Sequence, residues 1–149
     1  MAVGSFKDRL EIDILKAITG QATTILTTTP LPGGLWLGLC YTTSPTDVDI
    51  TGEGTEPTIG TNGYARVNTV GLWGTPAAGR VSNNAAINFA PFTGTIAGGA
   101  FFVAFALYDQ AAAGTGHQLA WGQLSPANKT GNAGDTMQFP IGSLIITAD

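Results

Sequence analysis

The sequence predicts a mainly β fold: an antiparallel β-sandwich (jelly-roll-like) with one short N-terminal α-helix. Three observations lead to this prediction. Apolar and polar residues alternate with a period of two in several short segments, which is typical of half-buried strands. The 21 glycines and 8 prolines of the 149-residue chain separate these segments by turns. About seven short strands with frequent turns indicate a sandwich or a closed antiparallel sheet.

The predicted helix occupies an N-terminal helical segment, residues 1–20, which precedes a β-sandwich domain over residues 21–149. Ser5 is a good cap for its first turn, and Gly20 is a good stop signal. Four apolar residues follow at a spacing of four and form one stripe: Phe6, Leu10, Ile14 and Ile18. This stripe either packs on the chain's own β-domain or docks the helix on a neighbouring subunit.

The strongest predicted strand covers residues 100–109. Both of its faces are apolar, so we expect it to be central in a sheet and covered on both sides. Together with residues of three other strands, one of its faces should form the inside of the sandwich. The expected inner residues are Phe101, Val103, Phe105, Leu107, Leu37, Leu39, Trp121 and Ile87.

The chain is poor in charge. Charged residues make up 11% of it, with 6 basic and 10 acidic side chains, against about 25% in an ordinary domain. The basic residues form no cluster and no apolar run is long enough to span a bilayer, so we predict no nucleic-acid and no membrane partner. A surface with so few charges instead favours contacts with other subunits, and we expect a homo-oligomer.

No catalytic or metal motif is visible. The single histidine, His117, and the single cysteine, Cys40, have no motif context, and the loop acids sit too close together in sequence to flank a substrate. Asp47 and Asp49 match two positions of a calcium loop, but its twelfth position is Thr58 instead of glutamate. We therefore predict a protein that is not an enzyme and has no cofactor and no metal, while cation binding by the acidic loop, Asp47 to Glu56, stays open.

Six segments, taken in order, carry a resemblance. They are LWLGLCYTTSP (35–45), GYARV (63–67), NNAAINF (83–89), FALYD (105–109), LAWGQL (119–124) and GDTMQFPIGSLIIT (134–147). This order resembles a family of small virion proteins of tailed bacteriophages, described as tail-fibre-like or capsid decoration (cement) proteins. The resemblance implies a β-sandwich that works by assembly on the phage particle. The segment 71–80 departs from the pattern, which leaves the role of that loop open.

The resemblance implies two functions. The first is a capsid decoration or cement protein that binds and stabilises the lattice of the major capsid protein. The alternative is a tail-fibre or tail-tip module, bound to tail protein subunits, that contacts a host receptor, with glycan as the expected chemistry. In both cases the protein is located in the virion after assembly in the host cytoplasm. A trimer is the expected oligomer, because capsid lattices offer three-fold positions and closed symmetry is the norm.

The candidate interface residues come from three places. The N-terminal segment supplies apolar and alternating charged side chains, which suit specific polar contacts. The acidic loop is a second contact, and one tryptophan either contacts a receptor or packs over the edge of the sandwich. The residues are Phe6, Lys7, Arg9, Leu10, Glu11 and Asp13 in the N-terminal segment, Asp47, Asp49 and Glu53 in the loop, and Trp73.

Overall fold

The described residues form ten β-strands and two short 3₁₀ turns. The computed structural model describes residues 2–6, 34–41, 56–75, 77, 80–99, 101–112, 117–124 and 129–147. The strands are β1 (Ala2–Phe6), β2 (Trp36–Tyr41), β3 (Val67–Asn68), β4 (Arg80–Ser82), β5 (Ile87–Asn88), β6 (Phe101–Tyr108), β7 (Gln118–Gln123), β8 (Lys129–Thr130), β9 (Gln138–Phe139) and β10 (Leu144–Thr147). The 3₁₀ turns are Thr61–Gly63 and Ile96–Gly99.

Eight of these strands form one large sheet. Its order is β3-β2-β6-β7-β1-β10-β4, with β8 paired to β6, while β5 and β9 form a separate two-stranded sheet. All described pairs are antiparallel except β1 and β10. The mainly β, antiparallel class is therefore confirmed. One large sheet and one two-stranded ribbon carry it, and no helix of the described residues is long and apolar enough to cross a membrane.

The segment that follows β3 bridges the two ends of the large sheet. At one end, Thr69 N donates to Leu35 O over 2.7 Å just after β3. The chain then continues to the other end, where Gly74 N donates to Ser82 O over 2.8 Å. Asn84 N donates to Leu72 O over 2.9 Å beside this contact. The segment after β3 thus joins the β3 end of the sheet to β4.

The start of the predicted helix is a strand in the structure. Ser5 and Phe6 are the last residues of β1, where Ser5 pairs with Trp121 and Phe6 with Ala120 of β7. The expectation that Ser5 caps a helix is therefore wrong. β7 and β10 both offer unpaired backbone groups to this segment, and a ladder on two sides outweighs a cap worth about 1 kcal/mol. The rest of the predicted helix, residues 7–20, lies outside the described residues.

The main core lies between the large sheet and the β5–β9 ribbon. Phe139 of β9 packs edge-on against Phe105 of β6 with ring centroids 6.3 Å apart, and Phe89 packs edge-on against Phe139 at 6.4 Å. These contacts hold the ribbon on the sheet. The buried members of this core are Leu37, Leu39, Tyr64, Ile87, Phe89, Phe92, Ile96, Phe102, Phe105, Leu107, Ala120, Met137, Phe139, Leu144 and Ile146.

The opposite face of the sheet carries a second cluster of buried residues, with fewer members. Cys40, Ala104, Ala106 and Tyr108 are buried there, and Trp36, Val103 and Trp121 pack against them. Burial of β6 on both faces confirms that it is a central, covered strand.

Five of the eight expected inner residues lie in the main core: Leu37, Leu39, Ile87, Phe105 and Leu107. Three do not. Val103 and Trp121 pack on the opposite face, and Phe101 is 55% exposed. The cause in β6 is a register shift: Cys40 pairs with Ala104 but Tyr41 pairs with Phe102, so Val103 is skipped. A bulge of this kind exchanges the two faces of a strand beyond it.

Candidate functional site

Residues 56–66, here called the anchored loop, begin at the last residue of the acidic loop and lead to β3. The loop turns back on itself at Thr61–Gly63, where Gly60 N donates to Tyr64 O over 2.8 Å. Gly60, Asn62 and Gly63 have positive φ angles of 86°, 52° and 77°. Glycine and asparagine are the residues that adopt this conformation most readily, so the sequence is suited to the turn.

An ion pair closes the base of the anchored loop. Nε and Nη2 of Arg66 donate to Oε1 and Oε2 of Glu56 over 2.9 and 2.6 Å, and the two side chains are 5% and 13% exposed. Nη1 of Arg66 donates to the carbonyl oxygens of Gln110 and Ala112 over 2.7 and 3.2 Å. The guanidinium lies 3.4 Å from the centre of the Tyr108 ring. Arg66 therefore fastens the loop both to itself and to the end of β6.

Tyr64 fastens the loop to β2. Its hydroxyl donates to Oε1 of Glu56 over 2.8 Å and accepts from Leu39 N over 2.8 Å. Gly38 of β2 provides the space for these groups. A Cβ at position 38 would lie 2.5 Å from Oε1 of Glu56 and 2.9 Å from Cε2 of Tyr108. The anchored loop consequently needs glycine at this position.

Burial sets the protonation of the surrounding groups. It raises the pKa of the Cys40 thiol to about 12, and the negative charge of Glu56 adds to the effect. Burial likewise raises the pKa of Tyr64 and Tyr108. Burial lowers the pKa of Arg66, but its hydrogen bonds and charge interaction with Glu56 move it upward overall. At neutral pH the thiol and both phenols are therefore neutral and the guanidinium is charged, and Cys40 is no nucleophile.

A surface pocket of about 200 Å³ opens beside the anchored loop. It is lined by Tyr41, Pro57, Thr58, Thr61, Asn62 and Ile96. Nδ2 of Asn62 donates to Thr95 O over 2.7 Å, and Thr93 N donates to Asn62 O over 2.9 Å. Two hydrogen bonds thus hold Asn62 in the pocket wall. The lining residues carry hydroxyl and amide groups and one aromatic ring. Such a surface can bind a polar ligand without reacting with it.

His117 and Asp109 close the hairpin between β6 and β7. Nδ1 of His117 lies 2.8 Å from Oδ2 of Asp109, and His117 N donates to Oδ1 of Asp109 over 2.6 Å. The two side chains are 34% and 16% exposed. The partner of Cys40 is Tyr108, so the histidine and the cysteine do not form a catalytic pair. His117, which has no motif context in the sequence, thus has a structural partner in Asp109.

The predicted interface residues are mostly outside the described part of the chain. Phe6 ends β1. Trp73 is half-buried and packs against the main core, and its indole N–H is buried without a hydrogen-bond partner. This packing fits the interpretation of Trp73 as an edge residue. Outside the described residues lie Lys7, Arg9, Leu10, Glu11, Asp13, Asp47, Asp49 and Glu53.

The sequence did not predict the network at the base of the anchored loop. An alternation with a period of two over residues 64–70 would place Ala65, Val67 and Thr69 on the inner face. In the structure Ala65 is exposed, while Tyr64 and Arg66 are buried at 1% and 8% exposure. The signal that could have indicated this network is that Tyr64 and Arg66 lie on the same face of the segment, opposite Ala65. Among the described residues, no group of three or more His, Cys, Asp or Glu side chains could hold a metal ion.

A β domain with a loop held by an ion pair and a polar surface pocket beside it suits the class of structural, contact-making proteins. Comparison with protein families identifies the particular group. The family model described as podophage GP4 fiber I protein gp80 matches residues 5–147, and the chain belongs to this family. The predicted resemblance to virion proteins of tailed phages is therefore confirmed, and the protein is a structural component of the virion. No curated protein matches the chain.

Proposed function

We propose that this protein is a subunit of a tail fibre and that it contacts a receptor on the host cell. The observation that carries the proposal is the match over residues 5–147 to a family described as a fibre protein. Of the two functions expected from the sequence, the fibre is the one that the family description names. Capsid decoration, the first expectation, has no such support and becomes an outcome of the test.

The pocket beside the anchored loop is the proposed receptor contact. The exposed Thr58 and Thr61 offer hydroxyl groups, and the ring of Tyr41 offers an apolar face. Sugars present hydroxyl groups and apolar C–H faces, so this combination suits a glycan. Because Arg66, Glu56 and Tyr64 already hold the loop, little conformational entropy is lost on binding.

Self-association is the second part of the proposal, with a trimer as the expected form and tail proteins as the further partners. Its support is the low charge content of 11% together with three large apolar side chains that are exposed in the part of the chain that the structure describes. These are Val70, Phe101 and Ile141 at 63%, 55% and 69% exposure. Sites like these are commonly covered in assemblies. Assembly in the host cytoplasm follows from synthesis in the infected cell.

The location in the virion is tested by counting and labelling. Quantitative mass spectrometry of purified virions should give at most a few dozen copies per particle. Antibodies to the protein should label the tail in electron micrographs. Hundreds of copies with label over the head would show that the protein decorates the capsid, and the fibre proposal would be wrong.

The receptor contact is tested by competition for adsorption. Purified protein should slow the binding of phage to host cells. Thr58→Val together with Thr61→Val removes two hydroxyl groups at nearly constant shape. At about 1 kcal/mol per hydrogen bond, the variant should compete about 30-fold less well. The matched control is Thr136→Val, at an exposed threonine that does not line the pocket. Equal competition by both variants would exclude this pocket as the contact.

A further inference from the structure

β1 fills a gap in the large sheet. On one side it pairs with β7, through Gly4–Gly122, Ser5–Trp121 and Phe6–Ala120. On the other side it pairs with β10, through Ala2–Leu144, Val3–Ile145 and Gly4–Ile146. No pairing between β7 and β10 is present in the described sheet. Without β1, each of these two strands would therefore have a row of unpaired backbone groups.

β1 also departs from the pattern of its sheet. Its pairing with β10 is parallel, while all other described pairs are antiparallel. Neighbouring strands in an antiparallel sheet can be joined by tight turns, but parallel neighbours cannot. Its central residue, Gly4, faces Gly122 in β7, so no pair of side chains fixes the strand at this position. The backbone pairings of β1 place it in a slot made by later parts of the chain.

The chain after β1 is long enough to reach another subunit. The next strand, β2, is separated from β1 in the sheet by β6 and β7. Three strand spacings amount to roughly 14 Å. Residues 7–35 connect β1 to β2, and a chain of this length spans about 100 Å at full extension. A strand that enters a gap from a distance, on a connection of this length, is suited to exchange between identical chains.

We infer that β1 is exchanged between copies of this chain, so that Ala2–Phe6 of one subunit fills the slot between β7 and β10 of its neighbour. The inference rests on the proposed self-association and specifies its mechanism. Exchange needs no new surface, because the neighbour makes the same backbone hydrogen bonds that the chain makes with its own strand. It suits a chain with few charges available for specific polar contacts between subunits.

The test is a disulfide that only exchange can form. Two singly substituted chains with different affinity tags, Val3→Cys and Ile145→Cys, are co-expressed and oxidised. Positions 3 and 145 are register partners in β1 and β10. Exchange predicts a covalent product that contains both tags on non-reducing gels. The double variant in one chain should likewise give covalent oligomers. Cys40 is fully buried and stays in all variants.

The matched control replaces Ile145→Cys by Ile141→Cys, at an exposed turn residue that does not pair with β1. This mixture should give no product with both tags beyond the level of random collision. The inference is overturned if the 3/145 mixture gives no such product, whether the double variant closes within one chain or forms no disulfide at all. Sedimentation of the unmodified protein then decides separately on self-association, because an oligomer without the exchanged disulfide would keep that part of the proposed function.

Discussion

Arg66 is a buried cation whose charge is neutralised and whose side-chain nitrogens are all hydrogen-bonded by its neighbours. Glu56 neutralises the charge and accepts two hydrogen bonds. Two backbone carbonyl oxygens accept hydrogen bonds from Nη1, and the Tyr108 ring covers one face of the guanidinium. A buried ion pair of this kind adds little net stability, because both charges lose their hydration. Its value lies in position: only one arrangement of the anchored loop satisfies all of these groups.

Removal of the negative partner should be costly. Glu56→Gln leaves the buried guanidinium without a countercharge, which we expect to lower the free energy of unfolding by about 3 kcal/mol. Urea denaturation at pH 7 measures the change. Asp135→Asn is the control, because Asp135 is exposed and keeps an acceptor for Asn132 N, and it should change stability by less than about 0.5 kcal/mol. Equal effects would contradict the role given to the ion pair.

The buried thiol predicts a loss of stability in alkali. The pKa of Cys40 is raised from 9.0 to about 12 in the folded state. Between these values the unfolded chain loses a proton that the folded chain retains, so stability is complete below pH 9 and falls as the pH rises toward 12. The slope is about 1.4 kcal/mol per pH unit for one such group. Cys40→Ala should remove this part of the fall when denaturation midpoints at pH 8 and pH 10 are compared. An unchanged difference would show that Cys40 does not titrate in this range.

At the scale of the elements, β6 shows what alternation along a strand can and cannot predict. The apolar run correctly indicates a central strand that is buried on both faces. The bulge at Val103 is not visible in the pattern, because residues on both sides of it are apolar. Alternation therefore assigns Phe101 to the core, whereas Phe102 occupies it. In a strand with one polar face, the register shift would be visible in the sequence as a break in the alternation of polar and apolar residues.

Alanine substitutions along β6 should follow the bulge. Phe102 and Phe105 are both fully buried, so Phe102→Ala and Phe105→Ala should each cost about 3–5 kcal/mol. Phe101→Ala is the control at an exposed position and should cost less than about 1 kcal/mol. Thermal or urea unfolding checks the series. A large loss at Phe101 with none at Phe102 would restore the simple alternation and contradict the register.

At the scale of the whole molecule, the fold depends on pairings between distant parts of the chain. β1 pairs with strands near residues 120 and 145, and the segment after β3 reaches β4. Sequence patterns predict strands but not which strands become neighbours, so the strand order of the large sheet could not be predicted. The site was hidden for the same reason: Glu56, Arg66 and Tyr108 come together only in three dimensions. Arg66 lies in the segment GYARV and Tyr108 in FALYD, but neither segment indicates that the two side chains meet. The N-terminal residues show the converse case, since a good helix cap became part of a strand once two partners were available.

The central place of β1 should make it sensitive to proline. Gly4→Pro removes a backbone donor in a strand that is paired on both sides, which should cost about 3 kcal/mol or more. Ala2→Pro, at the first residue of the same strand, should be tolerated much better. Circular dichroism during thermal unfolding compares the two variants. If both variants melt at the same temperature as the unmodified protein, β1 has no central place in the sheet.

The segment after β3, which hydrogen-bonds to the end of β4, has a consequence for aggregation. An open β-edge invites further strands and can seed fibrils, and many proteins prevent this with charged side chains. This chain has few charges to use. Instead, the hydrogen bonds of Leu72 and Gly74 to the end of β4 occupy backbone groups that an edge would otherwise expose. At this edge, hydrogen bonds within the chain, more than electrostatic repulsion, therefore limit pairing with strands of other copies.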